Sequence, residues 1–156
     1  MHRVMLGVAA LLLAIPGLAT AQDRQGGHAI QADQMTWGPA PPVLPKGAQF
    51  TVLSGHPEKA GPFTIRLKAP AGYKVPAHSH PTDEVVTVIS GDFGIGMGDK
   101  LDESKAERLG AGGFVNLPKN MNHYAIALTD VVVQITSEGP FAIRYVNPAD
   151  DPSRTQ

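Results

Sequence analysis

The sequence predicts an all-β domain, an antiparallel sandwich or barrel, and three observations carry that expectation. Downstream of Gln49 the apolar residues fall in short runs, several with period two, and not in long helical stripes. Glycine and proline, 17 and 14 of 156 residues, punctuate those runs at short intervals. No stretch leaves room for helices alternating with strands, which sets α/β architectures aside.

The N-terminus is read first. His2 and Arg3 precede an apolar run from Val4 to Ile15, Pro16-Gly17 ends it, and Ala19-Thr20-Ala21 follows. This is the pattern of a secretory signal peptide over residues 1–21, cleaved after Ala21, which predicts a periplasmic or secreted protein. The run is shorter than the roughly 20 residues a membrane span needs, so no stable membrane anchor is expected. Its removal takes Arg3 with it and leaves 135 residues, with 12 basic against 14 acidic side chains and a net charge of −2. That balance excludes the basic footprint of a nucleic-acid-binding protein, and 6% aromatic residues argue against a base-stacking platform.

Residues 22–48 read as an extended, Pro-rich arm. Gln22 to Gln34 is mostly polar, and Trp37 heads Gly38-Pro39-Ala40-Pro41-Pro42-Val43-Leu44-Pro45. Proline fixes φ and removes N–H donors, which suits an extended strap and not a helix. Trp37 is expected to pack this arm against the domain.

The barrel is placed at 49–147, with strands expected at 50–53, 63–67, 85–89, 93–97, 114–117, 124–128, 131–135 and 141–146, and a C-terminal tail at 148–156. Phe93, Ile95 and Met97 share one face of a Gly-interleaved strand and are expected in the core. Leu101 to Leu109 could be helical, as a solvated excursion between strands. Gly61-Pro62-Phe63-Thr64-Ile65-Arg66 recurs as Gly139-Pro140-Phe141-Ala142-Ile143-Arg144, read as two strands that begin with the same turn chemistry.

The residues that carry chemistry are histidines. His78-Ser79-His80 projects two imidazoles from one face of a strand, Glu84 heads the next apolar run, and His123 follows a Pro118-containing turn. Two histidines and a carboxylate from adjacent strands, joined by a third histidine, make a site with open positions for water, substrate or dioxygen. Imidazole with carboxylate suits iron, manganese, nickel, copper, cobalt or zinc. With no cysteine in the chain there is no disulfide framework and no closed thiolate zinc site. His28 and His56, in polar or turn sequence, are expected on the surface.

Gly72-x5-His78-x-His80-x3-Glu84-x6-Gly91 resembles the first motif of the cupin superfamily at every defined position. Gly112-x5-Pro118-x-Asn120-x2-His123 resembles the second, with Asn120 where a glycine is usual and Ala127 at the usual asparagine. The resemblance covers about Gln49 to Val146. It implies an antiparallel double-stranded β-helix, or jelly-roll, barrel of six to eight strands. It further implies one divalent metal on His78, His80, Glu84 and His123, and pairing of two copies as a homodimer.

Three functions are compatible with that site. The first is a dioxygenase-type oxidoreductase acting on a small oxygenated substrate, a pattern that resembles many such cupins, the quercetinase-like members among them. The second is a non-redox lyase or isomerase, for which Tyr124 or a metal hydroxide would be the base, with Glu84 a further catalytic candidate. The third is a module that binds metal or a small ligand and catalyses nothing. Arg66 and Gln134 lie on polar strand faces; if those faces line the barrel they could orient a substrate, and if they face solvent they do nothing chemical. Tyr124, next to His123, is expected to point away from it on a regular strand.

Overall fold

A computed structural model describes Gly27 and residues 29–155, so the expected signal segment 1–21, residues 22–26, His28 and Gln156 lie outside the described residues. The unit that carries the strands starts at Gln31. Two antiparallel sheets form it. In chain order the strands are β1 (Gly38–Pro39), β2 (Gln49–Ser54), β3 (Gly61–Ala69), β4 (Lys74–Ser79), β5 (Glu84–Ser90), β6 (Phe93–Met97), β7 (Glu107–Leu109), β8 (Phe114–Leu117), β9 (His123–Ala127), β10 (Val131–Gly139) and β11 (Arg144–Tyr145). One sheet runs β1-β2-β3-β10-β5-β8 and the other β11-β4-β9-β6-β7. This is the all-β double-stranded β-helix expected from the sequence.

Period-two alternation explains which faces meet. On β3, Phe63, Ile65, Leu67 and Ala69 face the space between the sheets, and on β10 Val131, Val133 and Ile135 do the same. Phe63 and Val88 are 1% exposed and Val133 2%. Burying each such side chain contributes about 1.5–3 kcal/mol. Gly91 makes the β5–β6 turn possible: its φ is +77°, and a Cβ there would collide with the Asp130 carbonyl. Asn120 takes φ +62° in the turn before β9, and its amide donates to the His80 carbonyl at 2.8 Å.

Several elements differ from expectation. Residues 101–109 hold a 3-10 turn (Glu103–Lys105) and then the short strand β7, not a helix, because Glu107–Leu109 pairs with β6 at the sheet edge. β4 carries no alternating signal, since Ala77 and His78 are buried side by side at a register shift. Met97 is 50% exposed at the end of β6, whereas Phe93 and Ile95 are buried as expected. The repeated Gly-Pro-Phe segments do not both begin strands. The first begins β3, the second starts at the last residue of β10, and Gly61 and Gly139 are cross-strand partners.

The arm reaches into the sheet system, because β1 pairs with β2. Trp37 lies under the Lys68 ammonium, 4.5 Å from its ring centre, and so packs the arm on the outer face of β3. Further along, the Tyr73 hydroxyl donates to the Pro45 carbonyl and the Tyr145 hydroxyl to the Val43 carbonyl, both at 2.7 Å. Burial pushes the Tyr73 hydroxyl up to about 12 and raises Tyr145 as well, so both stay protonated donors.

Candidate metal centre

His78 lies on β4, His80 just beyond it, Glu84 heads β5 and His123 heads β9. Register places His78 opposite His123 in one sheet and Glu84 opposite Ser137 in the other, so the four side chains come from both sheets and meet between them. All are buried, at 5% exposure or less. The ring centres of His78 and His123 are 4.3 Å apart, and that of His80 is 5.0 and 5.2 Å from them.

The backbone aims the rings. Nδ1 of His78 donates to the Pro76 carbonyl at 2.7 Å, that of His123 to Met121 at 3.0 Å, and that of His80 to Ala142 at 2.8 Å. A neutral ring that donates from Nδ1 carries a bare lone pair on Nε2. One ring nitrogen from each histidine lies within 4.8 Å of the others. Oε2 of Glu84 stands 3.4 Å from Nε2 of both His80 and His123.

Four acceptor atoms therefore converge in a buried space, and His80 Nε2 has no hydrogen-bond partner. Leaving a buried acceptor unsatisfied is costly, and a cation answers all four at once. Donor atoms that share one ion at about 2.0–2.2 Å stand roughly 3–4 Å apart, which the 3.4 Å separations match. The residues thus fit a divalent transition ion, and the three buried histidines could bind it.

The same crowding shapes the titration of the metal-free protein. Burial, and then the charges of His123 and His80, lower His78 from 6.5 to about 3. Burial also pushes the Glu84 carboxyl up, but hydrogen bonds from His123 and His80, made only when their Nε2 atoms carry protons, outweigh it and hold Glu84 below the usual carboxylate range. Between about pH 6.5 and 3 the unfolded chain takes up a proton at residue 78 that the folded protein refuses, so stability falls as pH falls. In excess chelator, acidification from about pH 8 to 5 is expected to remove about 2 kcal/mol through His78, and His78→Gln to flatten the dependence. Thermal melts across that range check it; parallel profiles for the two proteins refute it.

Three further residues expected near the chemistry stand elsewhere. Tyr124 faces the opposite side of β9 from His123, is 1% exposed, and donates its hydroxyl to the Asp102 carbonyl at 2.8 Å, so it is not a base for this site. Arg66 and Gln134 are cross-strand partners on the outer face, opposite Ile65 and Ile135. Arg66 Nε donates to Gln134 Oε1 at 3.2 Å and Nη1 to Met35 Sδ at 3.5 Å, so the pair secures the arm and does not touch a ligand in the cavity.

Sequence reasoning missed Phe141. Its ring stacks on His80, 4.3 Å between centres and 16° between planes, and meets Phe63 edge-on at 5.2 Å. The Gly-Pro-Phe repeat was the available signal: the paired glycines bring the two phenylalanines together.

The chain matches the family model described as "ChrR Cupin-like domain" over residues 25–142. No curated protein matches it. Among solved structures it is similar to the polyketide cyclase RemF from Streptomyces resistomycificus, at 14% identity and TM-score 0.67, over 83% of this chain and 92% of that one. A candidate acetylacetone dioxygenase from Methylibium petroleiphilum aligns at 21% identity and TM-score 0.61, over 81% and 85%. KdgF from Halomonas sp. aligns at 22% identity and TM-score 0.56, over 72% and 94%. Identities this low show a shared fold alone.

Proposed function

The chain belongs to the family of ChrR cupin-like domains, and from that premise we propose that it is a metal-dependent oxidoreductase of the dioxygenase type acting on a small oxygenated organic substrate. The observation that carries the reading is the convergence of three histidine nitrogens and a carboxylate oxygen, one of them unpartnered, on one buried point in the wall of a cavity. His78, His80 and His123 would hold the ion, with Glu84 as the fourth ligand. Such an ion, when bound, supplies Lewis acidity and, if it is iron, copper, nickel or manganese, redox chemistry with dioxygen. The lining around it is, among the described residues, mostly apolar and includes no serine, threonine or lysine. Among the described residues the cavity lining adds only Glu58 and Tyr73 to the four as titratable groups, so a non-redox lyase or isomerase would have to draw its base from Glu84 or a metal hydroxide.

The test is oxygen consumption by iron-, copper-, nickel- and manganese-loaded protein with β-diketone, catechol and flavonol panels. Uptake coupled to product is expected with at least one metal and one panel member. Turnover that survives anaerobiosis and zinc replacement would instead select the lyase or isomerase, and tight binding without product a carrier. Export to the periplasm or beyond belongs to the same proposal; the protein recovered from its native compartment is expected to begin at Gln22, and retention of residues 1–21 would overturn it.

A further inference from the structure

We propose that the Pro-rich arm makes this a site for an apolar ligand with a single oxygen-bearing, metal-binding head, and that Val43 and Leu44 limit the size of the ligand's apolar body. The proposal rests on the metal-dependent reading above, but its test separates the two. The cavity between the sheets has a volume of about 690 Å³, the size of an ordinary small-molecule site. No lysine or arginine lines it among the described residues. Its charged and ring-nitrogen groups are the four at the metal centre and the carboxylate of Glu58, whose side chain is 72% exposed to water. The Tyr73 hydroxyl is already committed to Pro45.

A sugar or sugar acid would bring hydroxyl and carboxylate groups that these walls leave without partners, a cost that an alkyl or aryl body avoids. The arm completes the apolar wall. It enters one sheet through β1, is fastened to the other by Tyr73 and Tyr145, and lays Pro41, Val43 and Leu44 along the cavity between those anchors. Prolines 41, 42 and 45 keep it stiff and remove amide donors that a polar ligand would use.

The probe is N-phenyl-1-naphthylamine, an uncharged dye with no chelating group whose fluorescence rises in apolar surroundings. Metal-free, full-length mature protein is expected to bind it saturably. Leu44→Arg, which puts a charge in the wall, and Leu44→Trp, which fills the space, should each weaken it by about tenfold or more. Thermal melts establish that the variants are folded; should one fail to fold, the other decides. In metal-replete protein, 1-phenyl-1,3-butanedione is expected to displace the dye, and glucuronate at about a hundredfold higher concentration is not. Absence of dye binding, a folded variant that binds like the parent, or displacement by glucuronate overturns the proposal. Dye binding without oxygen consumption on any panel removes the enzymatic reading and leaves this one standing.

Discussion

His123→Ala is expected to weaken metal binding by about 100-fold or more, because even the outer partners of metal ligands are worth 10–100-fold and His123 supplies a donor itself. Its ring is held by the Met121 carbonyl at the head of β9, facing His78 across the sheet, and among the described residues no histidine beyond His78, His80 and His123 joins that group to replace it. Competition with a chromophoric chelator and elemental analysis after dialysis measure the loss. Glu84→Gln gives the contrast. An amide nitrogen at that position can donate to His80 Nε2, the atom left unpartnered, so this variant should bind metal more weakly than the parent, though less so than His123→Ala, and melt at a higher temperature when metal-free. Unchanged metal-to-protein ratios in both variants would falsify the assignment of the centre.

The second large effect lies on the other side of the same sheet. Gly96→Ala is expected to destabilise the protein by about 3 kcal/mol and lower Tm by roughly 10 °C. A methyl group on Gly96 would occupy the space of the Tyr124 ring and its hydroxyl. Tyr124 is among the largest fully buried side chains, and its hydroxyl ties the 102–105 turn to the sheet through Asp102. Moving it therefore opens a void and breaks a hydrogen bond together. Tyr124→Phe loses only the hydrogen bond, about 1 kcal/mol, and should leave metal content and turnover at parent values. Calorimetry of both variants with metal assays alongside decides; a Tyr124→Phe protein with impaired turnover would return that hydroxyl to the site.

The ligand spacing was legible because it is local. A pair at i and i+2, a glutamate heading an apolar run and a histidine after a proline turn each reflect one strand or turn. The groups that aim the rings were not legible, because they are the carbonyls of Pro76, Met121 and Ala142, and every residue has a carbonyl. Period two told that Arg66 and Gln134 each lie on the face of their own strand opposite Ile65 and Ile135, but not which face looks inward, nor that the two pair across strands. β7 escaped notice because an edge strand of Glu-Arg-Leu has one half-buried position, and β4 was legible only through its His-x-His pair because its bulge puts two buried residues in succession. The arm was readable as extended, yet its place over the cavity depends on Tyr73 and Tyr145, whose partners lie 28 and 102 residues away.

The three hydrogen bonds that aim the rings differ in one respect that bears on how the protein matures. His78 and His123 are each fixed by a carbonyl two residues earlier, so their orientation is available as soon as their own turns form. His80 is fixed by Ala142, 62 residues later, and stacked on Phe141 from the same late segment. Closing a loop of that length carries an entropic cost that nearby pairs escape. In a chain whose last strands have not docked, two of the three rings can be oriented while the third lacks both its Ala142 carbonyl and its Phe141 stack. Completion of the three-histidine set is thereby deferred to the finished barrel.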